Sequence, residues 1–189
     1  MEFENDIRHS LDTLRTGGTI LYPTDTIWGI GCDATNATAV KKIYEIKQRA
    51  ESKSLIVLLA DPRDINHYTN LPGPYIFDYL QTVIRPTTII YEGAIGVAEN
   101  LIAADGSIAI RIVKEDFCRH LIKRFGKPLV STSANISGKT APDRFKNISA
   151  EIKNAVDYTV EYRQSDEAPA RASTVVRFNR HGEIRVLRP

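Results

Sequence analysis

Cysteine is scarce in this 189-residue sequence, which contains only Cys32 and Cys118. Two cysteines so far apart predict neither a disulfide framework nor a cysteine-based zinc site. Long apolar runs are also missing, because the longest, residues 55–60, is far shorter than the roughly 20 residues that a membrane-spanning helix needs. Nothing at the N-terminus reads as a signal peptide. We therefore expect a cytoplasmic protein in a reducing setting, with no membrane contact.

The sequence also lacks a large excess of charge. Its 25 lysines and arginines are balanced by 23 acidic residues, for a formal net charge of +2. The pI of about 8.5 is only mildly basic. Such a protein lacks the positive charge that drives non-specific nucleic-acid binding, so local groups must bind any anion. With 42% hydrophobic residues the chain has ordinary globular composition, which predicts one domain over residues 1–189.

Several catalytic signatures are absent. The sequence has no GxSxG serine motif, no HExxH motif, and neither the GxGxxG nor the GxxxxGK[ST] phosphate-binding pattern. Its four histidines lack the spacing of metal ligands. These absences argue against a histidine-dependent hydrolase and against an enzyme with a tightly bound, protein-ligated metal.

Hydrophobic periodicity predicts a mixture of helices and strands. Apolar residues at helical spacing predict helices over residues 3–14, 36–47, 61–68, 74–83, 115–125 and 149–156. β-Prone runs predict strands over residues 19–22, 55–60, 87–91, 107–113, 128–131, 158–162, 173–178 and 183–187. Because the elements do not alternate strictly as βαβ units, we expect an α/β (α+β) fold. Its twisted sheet should mix parallel and antiparallel strands, with helices packed around it.

The first candidate site is the loop that follows the strand over residues 19–22. Thr24 and Thr26 offer hydroxyl groups there, Gly29 and Gly31 permit close backbone approach, and Asp25 offers charge. Loops after strands are where α/β proteins bind ligands. From the loop alone, the simpler interpretation is a capped turn whose threonines bond to their own backbone.

The second candidate is the cationic group Lys47 and Arg49, with Lys53 four residues further on. Residues two apart in an extended segment lie on the same side, so Lys47 and Arg49 are expected to be exposed and to face one polyanion. Such charges neutralise a triphosphate before a nucleophile approaches its α-phosphorus. The alternative is that these cations only interact favourably with a helix dipole.

Small polar residues also cluster at the end of a predicted strand, at Ser131, Ser133 and Asn135. Side chains of this kind hold a ribose, a phosphate or an amino acid without bulk. A turn rich in serine and asparagine is an equally good interpretation.

Further polar side chains occur within other predicted strands. Ser173 begins a strand, Arg111 lies within one, and Arg188 lies at the end of another. Strand arginines are often charges on edge strands that face water. The basic run over residues 119–127 is able to contact RNA phosphates weakly, although such a run is more often the solvated face of a helix.

Taken in order, these motifs resemble the YrdC-like family. The resemblance covers nearly the whole chain and includes the Lys-x-Arg pair at 47–49 and the Ser-x-Asn pair at 133–135. It also includes residues 84–90 and the terminal Leu-Arg-Pro at 187–189. It implies a twisted mixed sheet around a basic concave cleft. The implied activity joins L-threonine, bicarbonate and MgATP into threonylcarbamoyl-adenylate, which is passed to the machinery that modifies tRNA.

The resemblance also implies residue roles. Lys47 and Arg49 would bind the triphosphate, with Ser133, Asn135 and Arg188 near the nucleotide. Thr24, Arg111 and Ser173 would lie near threonine or the product, and Arg111 suits a carboxylate clamp. Thr26, Lys53 and Ser131 complete the expected substrate-binding set. Mg²⁺ is expected on the ATP phosphates, held by few protein ligands.

Two positions depart from the family pattern. Ser54 and Val113 stand where the family usually has proline, which concerns loop shape and not polar contacts. One alternative function is a sibling that binds RNA or nucleotide without making the adenylate. A second is a structural domain in which the polar clusters are only turns.

Overall fold

A computed structural model describes residues 1–51, 54–70, 73–178 and 182–189 of the chain. Its helices are α1 (Glu4–Arg15), α2 (Ala37–Ile46), α3 (Pro74–Thr82), α4 (Asp116–Phe125) and α5 (Ala150–Ala155). Short 3-10 helices cover Pro62–His67, Glu99–Leu101 and Phe145–Asn147. Among these ranges, no helix has the length and apolar character needed to span a bilayer.

Strands of the described residues form one twisted sheet. They are β1 (Ile20–Tyr22), β2 (Gly29–Gly31), β3 (Ile56–Leu59), β4 (Thr87–Tyr91), β5 (Ile108–Ile112), β6 (Leu129–Ser133), β7 (Tyr158–Thr159), β8 (Thr174–Phe178) and β9 (Ile184–Arg188). Their order is β7-β1-β2-β6-β3-β5-β4-β8-β9. The pairs β1–β7, β3–β5 and β4–β8 are parallel, whereas the other neighbouring pairs are antiparallel. The expected mixed sheet is confirmed.

Some sequence-based boundaries were wrong. Strand β2 was expected to be loop, yet it pairs with both β1 and β6. The helix expected over residues 61–68 is a 3-10 helix, in which Asp61 accepts from the Arg63 N–H as expected of an N-cap. Strand β6 extends to Ser133, and β7 stops at Thr159. The differences in β2 and β6 reflect pairing with distant strands, which local propensity does not report.

Successive side chains of each strand point alternately to the two faces of the sheet. Ile89, Ile110 and Val176 are buried in the hydrophobic core on one face. Helices α1 and α4 contact each other, and Phe3 packs edge-on against Phe117 at 5.8 Å between ring centroids. Side chains at the intervening strand positions face the opposite side, where the candidate site lies.

A buried carboxylate fixes α1 to the chain near β7. Asp6 is 7% exposed, and its Oδ1 accepts hydrogen bonds from the Tyr158 hydroxyl at 2.5 Å and the Glu161 N–H at 2.9 Å. Its Oδ2 accepts from the Tyr162 N–H at 2.9 Å. A carboxylate that accepts several hydrogen bonds stabilises a fold more than a neutral acceptor does.

Replacing Asp6 with alanine should therefore lower the free energy of unfolding by about 2–4 kcal/mol, because two backbone N–H groups lose a charged acceptor. Urea denaturation followed by circular dichroism measures this change. Asp12→Ala is the matched control, since Asp12 lies on the same helix and is exposed. Equal loss of stability in the two variants would contradict the role given to Asp6.

Candidate functional site

A cavity of about 290 Å³ lies on the sheet face opposite the core. Its apolar floor contains Ile56, Ile90, Ala109 and Val175 from four neighbouring strands. Seven of the residues singled out from the sequence line it together: Thr26, Arg49, Arg111, Ser131, Ser133, Ser173 and Arg188. Residues as far apart in the sequence as Thr26 and Arg188 thus line the same site. Its polar groups are guanidinium, hydroxyl and backbone groups, which suit a small anionic ligand with apolar parts.

The two threonines of the first motif have different surroundings. Thr24 is 2% exposed, and its hydroxyl donates to the carbonyl of Ile27 at 2.8 Å. The same oxygen accepts from the Thr26 N–H at 3.0 Å and lies 2.9 Å from Thr26 Oγ1. The capped-turn interpretation is therefore correct for Thr24, whose hydroxyl stabilises the loop through hydrogen bonds to its own backbone. Thr26 lines the cavity.

Both glycines of β2 are required by the close approach of protein groups. A Cβ atom on Gly29 would lie 2.9 Å from Ser131 Oγ, and one on Gly31 would lie 2.2 Å from the Val130 carbonyl oxygen. A Cβ on Gly31 would also lie 2.7 Å from the ring of Tyr22. Close approach was expected from the sequence. The contacting groups belong to neighbouring strands, and the glycines let β2 fit between β1 and β6.

The expected exposure of Lys47 is wrong. Lys47 is 1% exposed, and its Nζ donates to the carbonyl oxygens of Ser133 at 2.5 Å and Asn135 at 2.6 Å. Its own carbonyl accepts from the Ser137 N–H at 2.8 Å. Burial, with a smaller contribution from the nearby Arg49, lowers the pKa of Lys47 to about 8. Lys47 therefore fastens the end of α2 to the turn that follows β6.

Backbone geometry separates Lys47 from Arg49. Helix α2 ends in a Schellman turn, in which the Arg49 N–H donates to the Tyr44 carbonyl and the Gln48 N–H donates to the Glu45 carbonyl. Gln48 occupies the left-handed position of this turn with φ of 49°. The segment is therefore not extended, and the extended geometry from which both cations were expected to face one side is wrong.

Arg49, unlike Lys47, lies at the surface of the cavity. It is half-buried and lines the cavity, and its Nη2 donates to the Ser54 carbonyl at 3.0 Å. Burial lowers the pKa of the Arg49 guanidinium from its ordinary value, although an arginine remains charged at neutral pH. Lys53, the third cation expected here, lies outside the described residues.

The Ser-x-Asn motif lies at the end of β6, as expected, with Ser133 as the last residue of the strand. Ser131 and Ser133 line the cavity, while the Asn135 side chain donates to the carbonyls of Ile136 at 3.0 Å and Lys139 at 2.7 Å. The Oδ1 atom of Asn135 is buried and makes no hydrogen bond within the described part of the chain. Asn135 therefore shapes the turn, and its amide oxygen still has accepting capacity.

Arg111 provides a buried cation in the cavity wall. Its side chain is 3% exposed, and Nη2 lies 3.3 Å from Oδ1 of Asp25, whose side chain is 9% exposed. Over the residues that the structure describes, Nε and Nη2 of Arg111 donate no hydrogen bond. A buried guanidinium with unused donors is costly unless a ligand completes its contacts. Asp25 lies in the same loop as the two threonines, where the sequence indicated a charge but assigned it no partner.

Arg188 reaches the cavity because β9 contains a β-bulge. Val176 pairs with Val186, but Val175 pairs with Arg188, so Leu187 is the extra residue. Without the bulge Arg188 would pair with Thr174 and point to the other face, since side chains alternate along a regular strand. Its Nε donates to the Ser173 carbonyl at 3.0 Å and its Nη2 to the Ser173 hydroxyl at 3.2 Å. Burial and, to a smaller extent, Arg111 lower the pKa of Arg188.

The described residues contain no group of three or more histidine, cysteine or acidic side chains placed to hold a metal ion. Trp28, the single tryptophan of the sequence, lines the cavity and packs against Phe145 at 4.8 Å between ring centroids. We therefore expect its fluorescence to change when a ligand enters the cavity. Sequence reasoning did not predict this position, because a single aromatic residue before a glycine gives no specific signal.

Comparison with known proteins places the chain among relatives of similar length. The family model described as "Telomere recombination", for the Sua5, YciO and YrdC proteins, matches residues 12–189. A threonylcarbamoyl-AMP synthase of Vibrio cholerae serotype O1 is 29% identical over 168 residues, which cover 87% of this chain and 89% of the relative.

Two solved structures share the fold. P. abyssi Sua5 complexed with L-threonine has a TM-score of 0.86 and 23% identity, and the match covers 98% of this chain. The chain spans about half of that protein, 54% of its length. E. coli YciO has a TM-score of 0.82 and 21% identity, with 97% of this chain and 88% of that chain covered.

The burial of Lys47 predicts a pH-dependent stability. Lys47→Met should lower the free energy of unfolding by about 1–3 kcal/mol, because buried carbonyls lose their donor. The folded-state pKa of about 8 lies below the ordinary value of 10.5, so the wild type gains stability as pH rises from 8 to 10.5. The variant lacks this titrating group, so the difference in free energy of unfolding between the wild type and Lys47→Met should grow over that pH range.

Urea denaturation at several pH values measures both effects. Lys41→Met is the matched control, since Lys41 lies on the same helix with a side chain that is 64% exposed. That variant should change the free energy of unfolding by less than about 0.5 kcal/mol. A Lys47→Met deficit that shrinks above pH 8 would contradict the assigned burial.

Proposed function

Because the chain belongs to the Sua5–YciO–YrdC family, we propose that it is a threonylcarbamoyl-AMP synthase. It forms threonylcarbamoyl-AMP and pyrophosphate from L-threonine, bicarbonate and ATP, as a nucleotidyltransferase. The product supplies the N6-threonylcarbamoyladenosine modification of tRNA. The synthase name of the relatives and the complex of P. abyssi Sua5 with L-threonine support this assignment.

One observation carries the proposal on structural grounds. The cavity holds Arg49, Arg111 and Arg188, and two donor atoms of Arg111 have no hydrogen-bond acceptor in the described residues. Three guanidinium groups around a small cavity with an apolar floor favour ligands that carry more than one anionic group. A triphosphate and an amino-acid carboxylate meet this requirement.

The reaction needs positioning more than acid–base chemistry. The threonine amine adds to bicarbonate with loss of water, or to carbon dioxide with loss of a proton to solvent, and the resulting N-carboxylate attacks the α-phosphorus of ATP. A new O–P bond forms, the bond to the β-phosphate oxygen breaks, and pyrophosphate leaves. Both reactants are anionic, so the protein holds them together and offsets their repulsion. Hydroxyl and guanidinium groups suffice for this task.

Each residue then has a proposed role. Arg49 contacts the triphosphate, and Ser131, Ser133 and Arg188 contact the nucleotide. Lys47 and Asn135 hold the turn after β6, with the Lys47 ammonium adding positive charge close to the phosphates. Thr26, Arg111 and Ser173 contact threonine or the shared product, and Thr24 supports Thr26. The magnesium ion enters as part of MgATP, bound mainly by its phosphates.

The partners and compartment complete the proposal. The reaction takes place in the cytoplasm, and the product passes to the threonylcarbamoyl-transfer machinery. Any RNA contact is weak, consistent with the small net charge of the chain.

Incubation of the protein with ATP, threonine and labelled bicarbonate tests this function. The expected result is pyrophosphate release that requires all three substrates, with label recovered in an adenylate. The competing function, binding without synthesis, predicts that ATP changes Trp28 fluorescence while no pyrophosphate is released. That outcome would overturn the synthase assignment and leave nucleotide binding in place.

Arg49→Ala should reduce pyrophosphate release by about a hundredfold, the effect typical of losing one preorganised donor to a developing charge. Arg49→Lys should also be impaired, because an ammonium group lacks the planar fork of a guanidinium. Thermal melts of both variants should remain close to the wild type. Arg63→Ala serves as the control, since the Arg63 side chain is 88% exposed and lies outside the cavity. Full activity of Arg49→Ala would mean that the Arg49 charge interacts only with the helix dipole and not with the triphosphate.

Threonine should be preferred over serine as substrate. The two differ by one methyl group, which is worth about 1–3 kcal/mol in an apolar niche. Serine should therefore react with a kcat/KM roughly 10- to 200-fold lower. Steady-state rates of pyrophosphate release with each amino acid measure this ratio. Equal values would exclude a threonine-shaped pocket.

A further inference from the structure

Arg111 and Asp25 form an ion pair without a hydrogen bond. Nη2 and Oδ1 are 3.3 Å apart, yet neither atom has a hydrogen-bond partner among the described residues. The two side chains are 3% and 9% exposed, so the charges interact where water screens them poorly. Asp25 thus compensates the Arg111 charge electrostatically while the Nε and Nη2 donors stay available for a ligand.

Asp25 is itself held in place from several directions. Its Oδ2 accepts from the Lys114 N–H at 3.1 Å, just beyond the strand that carries Arg111. The preceding carbonyl of Pro23 accepts from Cys118 Sγ at 3.1 Å, and that of Thr24 accepts from Arg163 Nη1 at 3.2 Å. These contacts fix the backbone on which Asp25 lies.

We infer that Asp25 is a positioning residue, which orients the Arg111 guanidinium so that its unused donors face the carboxylate of the amino-acid substrate. The inference rests on the proposed function and adds a residue to it. Asp25 does not contact the substrate carboxylate, which it would repel; it acts through Arg111. A guanidinium without this partner would be an uncompensated buried cation, free to turn toward the triphosphate.

Asp25→Asn tests the inference, because the amide keeps the size of the side chain and an acceptor for the Lys114 N–H but removes its charge. The KM for threonine should rise about tenfold, equivalent to about 1.4 kcal/mol of binding free energy. The KM for ATP should change less than about twofold, since Arg49 and the nucleotide contacts remain. Titration of Trp28 fluorescence with threonine should show the same loss of affinity.

Asp33→Asn is the matched control. Asp33 is also a loop carboxylate paired with a cation, at 2.6 Å from Lys127 Nζ, with a side chain that is 5% exposed. It lies outside the cavity, so this variant should lower the melting temperature without changing either KM. The control therefore separates a loss of stability from a loss of orientation.

The outcomes are distinguishable. An unchanged threonine KM in Asp25→Asn, or an equal rise in the KM values for threonine and ATP, would overturn the positioning role while leaving the synthase assignment intact. A fall in the threonine KM would overturn it as well, because it would mean that Asp25 only weakens Arg111. A wild-type protein that neither releases pyrophosphate nor binds threonine would remove the proposed function and this inference together.

Discussion

The buried ammonium group of Lys47 joins the two halves of the site. It is attached to the C-terminal end of α2, and it donates to the carbonyls of Ser133, at the end of β6, and Asn135, in the following turn, which lie 86 and 88 residues further along the chain. The Lys47 carbonyl also accepts from the Ser137 N–H in that segment. Arg49 and Ser133 can face one cavity only while this connection holds, so their geometry depends on a residue that does not line it.

Positive charge gathered in a small space is the second constraint. Lys47 and Arg111 are buried, Arg49 is half-buried, and Arg188 lines the cavity although it is exposed. Desolvation lowers the pKa of Lys47, Arg49 and Arg188. Asp25 is the carboxylate that lies against Arg111. Without a ligand these cations repel one another, and an anionic ligand relieves that repulsion. The repulsion among these cations therefore lowers the stability of the ligand-free protein, and its removal on binding contributes to the affinity for an anion.

Most of the fold could be predicted from the sequence, because the helices and most strands follow hydrophobic periodicity. Strand β2 could not, since Gly29-Ile-Gly31 gives a local turn signal and becomes a strand only between β1 and β6. The burial of Lys47 was also missed, because its acceptors are backbone carbonyls far along the chain. Sequence spacing does not encode such contacts. The site residues were found mainly through the resemblance to a family, and their separate tasks came from the structure. The charge of Asp25 was visible in the first candidate loop, but its pairing with Arg111 could not be predicted because Arg111 is on a strand 86 residues away.

The cavity is assembled from groups at both ends of the chain, and this couples its geometry to the whole sheet. Thr26 comes from the loop before β2, and Arg188 enters from β9 only because a bulge changes its face. Between them stand β6, β3, β5, β4 and β8 in order, so any shift in strand register would separate the two ends of the site. A ligand that contacts both therefore binds the complete sheet and not a local loop. Its binding energy stabilises the folded state as a unit.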